Sequence, residues 1–398
     1  MSASKLESWA YLNRVVEGPN RHLLAHLNAG RDADEIAHGI RTRASWLGEL
    51  GPATESRYTW DRPAEDLEEA AQHGYSLITP EHPEWPADEI AASFGSALSK
   101  QERGLGPAAD EEPLPPEGYP PHSLWARGNT NLAQLFAQSV GIVGTRAASA
   151  YGHHATADLC TGLARHRYTI VSGGALGIDT VAHETALNNQ ALTVVVAACG
   201  PGQIYPKRNG KLFDRIAAEG GAIVTEYPPG MTPDRHRFLT RNRLVAALTQ
   251  GSIVVEAAFR SGALNTLKWV KTYNRVPLAV PGPILGPGSL GTNLAIRNDR
   301  ADMVLSADDA HQQLGAIGST DADGQLEIDF EADAIQKLSR NELRVYDSLP
   351  VAGAGGIDAE AVAQASGFTI ALAVHLLMDL HKKGLVVRKG KMWERSES

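Results

Sequence analysis

Between residues 139 and 305 the sequence repeats one unit: a short Val/Ile-rich run, a turn, then a helix-length stretch. The runs are 140–143, 169–171, 193–197, 222–225, 252–255, 276–280 and 303–305. None alternates apolar with polar residues, which is the pattern of strands covered on both faces. The stretches between them, 149–165, 180–188, 211–218, 243–248 and 264–273, have helical spacing. Repeated strand–helix alternation predicts an α/β fold with a doubly wound, mostly parallel, Rossmann-like sheet over 123–310. In such a sheet ligands bind beyond the carboxyl ends of the strands, so the turns that follow the strands are where chemistry belongs.

The first turn reads Gly144-Thr145-Arg146, with Ser149 opening a helix. Gly144 permits a tight turn, the helix N-terminus offers free N–H groups to a phosphate, and Arg146 adds a bidentate donor. The second turn, Ser172-Gly173-Gly174 through Asp179, exposes backbone N–H groups and a hydroxyl. Asp179 is expected as an N-cap, with His183 one turn later fixing the loop. An Asp–His acid/base pair is the alternative, but no nucleophile is evident nearby. The third turn carries Tyr205 and then Lys207, Arg208, Asn209 and Lys211, a basic run beside an aromatic; it reads either as a strand-binding loop or as a solvated one.

The fourth turn holds the densest positive cluster of the chain: Arg235, Arg237, Phe238, Arg241, Asn242 and Arg243. Basic residues around an aromatic suit a nucleic-acid strand, since cations hold the backbone and a base stacks on the ring. After the fifth strand Glu256 precedes Ser261-Gly262 and Thr266, and after the sixth come Pro281-Gly282-Pro283 and 288–293. Several glycine-bearing loops thus converge on one edge. The dinucleotide fingerprint G-x-G-x-x-G and the P-loop motif are both missing, so no nucleotide cofactor is expected.

Outside this domain the sequence changes character. Residues 1–80 have helical spacing (Trp9, Leu12, Val15, Val16, then Leu23, Leu24, Leu27), with Gly18-Pro19 as a break, and are expected to form a small helical domain. Residues 81–122 read as a linker, and 95–121 as a Pro-, Gly- and acid-rich insertion. An acidic linker is expected over 311–335. Residues 336–398 show three helical stretches and two strands around Lys389-Gly390-Lys391, a winged-helix pattern. Its candidate recognition helix carries His375, His381, Lys382 and Lys383 among Leu, Val and Ala, which is thin for reading a major groove. Protein contact or a structural role is expected there instead.

The formal net charge of −9 means that any nucleic-acid site must be a local patch. Two cysteines, Cys160 and Cys199, make no disulfide framework and point to a reducing compartment. With no signal-type N-terminus and no apolar run of membrane length, the expectation is a cytoplasmic protein with no membrane partner.

The loop sequences together resemble the DprA/Smf family of DNA-processing proteins. The matching stretches, in family order, are 141–146, 172–183, 204–209, 225–230, 241–243, 254–266 and 279–284. The resemblance implies an extended Rossmann fold, homodimerisation, binding of single-stranded DNA and its transfer to RecA recombinase during natural transformation. It implies phosphate contacts from Arg146, Lys207, Arg241 and Arg243, and further donors from Ser172, Gly173 and Gly174. The chain departs from the family pattern at Thr266-Leu267-Lys268-Trp269 and at 296–301.

Two functions follow. The first is a non-enzymatic single-stranded-DNA binder that protects DNA and loads RecA. The second is a phosphoribohydrolase-like enzyme on the same fold. Such enzymes carry a glutamate where Trp269 stands here, which favours the binder.

Overall fold

Seven parallel strands form all but one margin of a nine-stranded sheet. They are β3 (Ser139–Val143), β4 (Thr169–Ser172), β5 (Thr193–Val196), β6 (Ala222–Thr225), β7 (Gly251–Val254), β8 (Val276–Ala279) and β9 (Asp302–Met303). Two antiparallel strands, β1 (Tyr75–Ile78) and β2 (Leu124–Gly128), extend one edge, giving the order β1-β2-β6-β5-β4-β3-β7-β8-β9. This computed structural model describes residues 3–98, 114–285, 287–315, 338–353 and 355–396, in two units, Met1–Ser319 and Thr320–Ser398. Residues 99–113 of the expected insertion and 316–335 of the expected acidic linker lie outside the described residues.

Every residue of β3 to β7 is buried, as runs without polar alternation require. Successive strands run from β3 outward through β4, β5 and β6, then resume on the other side of β3 with β7 and β8. The crossover connections therefore diverge at β3, and a crevice opens beyond its carboxyl end.

The amino-terminal helices pack onto the antiparallel edge. Trp9, Tyr11, Leu12, Ile36 and Ile40 share one core with Leu77 of β1 and Trp125 of β2. The helix Arg21–Asn28 starts at Asn20, whose side chain accepts the His22 and Leu23 N–H groups just after the Gly18-Pro19 break. Residues 75–78, expected within the helical segment, form β1 instead. Pairing with β2 and burial of Leu77 and Ile78 override local preference there.

Two helix boundaries also differ. The helix expected at 243–248 spans Arg235–Ala247, because Asp234 caps it by accepting the His236 N–H. The polar side chains of its first turns hide the apolar period. Asp179 is not an N-cap: Gly177 holds that position with φ +82°, and Asp179 sits inside the first turn of Ile178–Asn188. At the other end of the domain, residues 311–314 close the helix Ala307–Leu314 rather than opening a linker.

The second unit has helices Arg340–Asp347, Ala359–Ser366 and Ile370–Lys382 with a small sheet. Its strands are β10 (Ile357–Asp358), β11 (Val386–Lys389) and β12 (Met392–Arg395), in the order β10-β12-β11. Val345, Val362, Leu377, Leu380 and Trp393 form its core. This is the winged-helix arrangement, with one more strand than the sequence suggested. The helix Ile370–Lys382 exposes Ile370, Val374 and Met378 at four-residue spacing, an apolar face unsuited to base edges. No single described helix is long and apolar enough to cross a membrane.

Candidate nucleic-acid interface

The crevice at the β3 switch is a cleft of about 540 Å³. Four segments wall it: Val143 to Arg146, Gly173 to Asp179, the helix Arg235–Ala247, and Ser261 to Thr266. Of the expected site residues, Gly144, Arg146, Gly173, Arg235, Phe238, Arg241, Asn242, Ser261, Gly262 and Thr266 line it. Residues 120 apart in sequence therefore meet because strand order, not chain order, decides which turns are neighbours.

An aromatic pair forms one side. The Tyr205 and Phe238 rings lie 5.2 Å apart at 57°, and Tyr205 is exposed. The Arg146 guanidinium stands 5.1 Å from the Phe238 ring centre, and that of Arg241 stands 6.0 Å from it. Arg146 and Arg235 are exposed and have no ion-pair partner among the described residues. Lys207 and Arg208, on the 3-10 turn Lys207–Asn209, are likewise exposed.

The helical form of the Arg235–Arg243 cluster splits it. Positions 235, 238, 239 and 242 share one face of a helix and line the cleft. Arg237 points the other way, donating to Glu17 at 2.8 Å and to the Thr232 carbonyl at 2.6 Å, with its guanidinium 5.5 Å from the Tyr227 ring. Arg243 is fully buried and donates to Glu226 at 2.5 Å. Neither Arg237 nor Arg243 is free for a phosphate, which corrects the expectation for both. A side chain at zero exposure, paired across the core, cannot reach a ligand. Arg241 is an intermediate case. It lines the cleft but is 4% exposed, donating to the Gly173 and Val196 carbonyls. Its first task is to tie the second turn to the end of β5.

The glycine turns are held from within. Ser172 donates its hydroxyl to the Ile142 carbonyl at 2.5 Å, so that group is already used. The buried Asn209 amide donates to the Gly174 carbonyl at 3.0 Å and to the Thr180 hydroxyl at 2.9 Å, and so structures the loop. Gly174 has φ +71° and packs under Phe213. The helix N-terminus at Ser149 is occupied as well: Glu256 accepts the Ser149 N–H at 2.9 Å, and Ser149 accepts the Gly152 N–H at 3.1 Å. The expected phosphate cradle there is filled by the protein's own carboxylate. The Thr145 N–H donates to the Glu256 carbonyl at 2.7 Å, which sets the position of Arg146.

Asp179 and His183 do not form a couple. Asp179 accepts the Ala175 N–H at 3.2 Å; burial pushes its carboxyl above the ordinary range, and Arg241 and the loop amides pull it back. His183 hydrogen-bonds Thr193 of β5 at 2.7 Å, so it ties helix to strand rather than fixing the loop. Burial, with help from Arg241, lowers it to about 3. Among the described residues no three His, Cys, Asp or Glu side chains converge to hold a metal.

Some participants had no readable signal. Glu17 and Glu226 anchor Arg237 and Arg243 from 220 and 17 residues away. Asn13 and Arg14 fix the loop after β6 by donating to the Glu226 and Pro229 carbonyls, both at 2.9 Å. Leu239 joins the cleft wall only because the segment is helical.

Comparison with known proteins agrees with this architecture. The family model described as DNA recombination-mediator protein A matches residues 114–315. A protein of Mycobacterium tuberculosis named DNA processing protein DprA is 40% identical over 387 residues, 97% of this chain and 93% of its own. Protein Smf of Escherichia coli is 38% identical over 48% of this chain and 51% of its own. The crystal structure of DprA from Streptococcus pneumoniae superposes with a TM-score of 0.61 at 27% identity, over 79% of this chain and all of that one.

Proposed function

The chain belongs to the DprA/Smf family of DNA recombination mediators, and from that premise we propose that the cleft at the β3 switch binds single-stranded DNA without catalysis. The observation that carries the proposal is the pair of exposed Tyr205 and half-buried Phe238, with Arg146, which has no ion-pair partner among the described residues, against it. Stacking serves every base, and a guanidinium beside the stack neutralises a phosphate, so this combination suits a strand read without sequence preference. Lys207, Arg208 and Arg235 extend the positive edge. Duplex DNA keeps its bases stacked inside and offers the aromatic pair nothing.

Ser172, Asn209, Asp179 and Glu256 then build the loops, His183 ties its helix to β5, and Gly144, Gly173, Ser261, Gly262 and Thr266 shape the wall. The hydrolase alternative needs a proton donor or acceptor in the cleft. Asp179 is held by loop amides and His183 is buried and neutral, which supports binding alone. We further propose that a homodimer protects incoming strands and hands them to RecA.

A gel shift with single strands and duplex of equal length, at two salt concentrations, tests the first proposal. The single strand should bind more tightly, with log K falling by ~0.7 per neutralised phosphate per decade of salt. Equal affinity for duplex sinks the reading, and release of free base from AMP restores the enzyme. RecA loading is measured as faster onset of RecA ATP hydrolysis on coated single strands, and dimerisation by sedimentation.

A further inference from the structure

We propose that Phe259 is a second stacking station for the strand, set on the far rim of the cleft, so that the strand leaves the cleft across it. The inference rests on the reading of the cleft as a single-strand site and adds a contact outside it. Phe259 is 60% exposed, the most exposed aromatic side chain among the described residues. It belongs to none of the hydrophobic clusters, so its ring contributes nothing to the core.

Its place follows from strand order. β5, β4, β3 and β7 are successive neighbours, and the cleft opens beyond β3. Tyr205 follows β5 and Phe259 follows β7, so their two turns flank the cleft from opposite sides. The helix Arg235–Ala247 bridges them. Phe238 and Asn242 lie one turn apart on its cleft face, ~6 Å along the axis. The Asn242 amide donates to the Gly262 carbonyl at 3.4 Å, three residues after Phe259. The Ser261 N–H closes the turn by donating to the Ala258 carbonyl at 3.0 Å. Ser261 and Gly262 line the cleft and Phe259 does not, so the ring stands just outside that wall.

The neighbouring residue repeats the chemistry of the first station. There Arg146 stands against the Phe238 ring; here Arg260, exposed and with no ion-pair partner among the described residues, directly follows Phe259. A ring for a base and a cation for its phosphate make the same two-part contact. The turn's own carboxylate does not oppose it, since Glu256 is buried and accepts the Ser149 N–H. On the outer side the Gly291 N–H donates to the Ala257 carbonyl at 2.7 Å, which seats the exposed Leu290 beside the same turn. An apolar rim alone would equally suit a protein partner. Arg260 and continuity with the cleft wall favour the strand.

The test uses the full chain and decathymidylate carrying one 5-iododeoxyuridine at each position in turn. Irradiation couples that base to the ring it stacks on, and mass spectrometry locates the bond. Cross-links to Phe259 are expected from positions to one side of those that reach Tyr205 or Phe238. Phe259→Ala, whose exposed position leaves folding intact, should weaken decathymidylate binding at least fivefold. Phe259→Trp should retain affinity, and Phe259→Leu should bind as weakly as Phe259→Ala. Arg260→Gln should lower the salt slope by ~0.7. Cross-links at Tyr205 or Phe238 with none at Phe259, or parental affinity in Phe259→Ala, overturn this inference and leave the cleft reading standing. Parental affinity in Phe259→Leu overturns stacking in favour of an apolar contact. No binding and no cross-link at any of the three rings overturns both readings.

Discussion

Arg243 and Glu226 form an ion pair at 2.5 Å with side-chain exposures of 0% and 2%. It joins the helix that walls the cleft to the end of β6, inside the protein. Breaking a buried pair from one side strands the other charge, at a cost of ~3–5 kcal/mol. Arg243→Ala should therefore lower the urea midpoint strongly, and Glu226→Ala should do the same. The double variant should cost less than the sum of the two. Additive losses would show that the two side chains do not depend on each other.

Arg146→Ala should act in the opposite manner. The side chain is exposed, so unfolding free energy should move by less than ~0.5 kcal/mol. Single-strand affinity should fall, and the salt slope should drop by ~0.7. Phe238→Ala should cost ~1–3 kcal/mol of binding through lost stacking. Filter binding across a salt series, beside a denaturation curve, separates these effects. Unchanged affinity in both variants removes the proposed site.

Gly177 offers a test of the loop geometry. Its φ is +82°, and a Cβ there would press on the backbone of Thr145 and Arg146. Gly177→Ala should destabilise the fold by more than the ~1 kcal/mol of conformational strain alone. It should also weaken single-strand binding by shifting Arg146. Loss of stability with full binding would show that this turn does not position the arginine.

Acid should loosen the fold. Burial lowers His122 to about 4 and His183 to about 3, with Arg243 and Arg241 adding to the effect. Both bind protons more weakly when folded than when unfolded. The unfolded chain therefore takes up the extra protons once pH falls below about 6.5. Their stabilisation is complete above that pH and is lost as pH drops toward 4, by ~1.4 kcal/mol per unit for each histidine. The urea midpoint should be lower at pH 5 than at pH 7.5, and His183→Gln should flatten that dependence. An equally steep dependence in the variant would rule His183 out as a source.

Much of this was legible in one dimension. The seven central strands, the helices between them and the winged-helix unit follow from runs and periods, because burial on both faces demands continuous apolar strands. The identity of the cleft-lining turns was also legible, since turns after parallel strands share one edge. The β1 strand was not. Its four residues carry no strand signal strong enough to stand apart from their helical neighbours, and pairing with β2 decides their form.

The roles within the basic cluster were beyond the sequence as well. Read as a loop, Arg235, Arg237, Arg241 and Arg243 are equivalent cations. Wound into the helix Arg235–Ala247, they part: Arg235 faces the cleft, Arg241 braces its floor, and Arg237 and Arg243 turn to Glu17 and Glu226. The sequence determined that positive charge and an aromatic would gather beyond the strands. Only the tertiary structure decided which charges remain for a ligand, because a cation's availability depends on what packs against it in space.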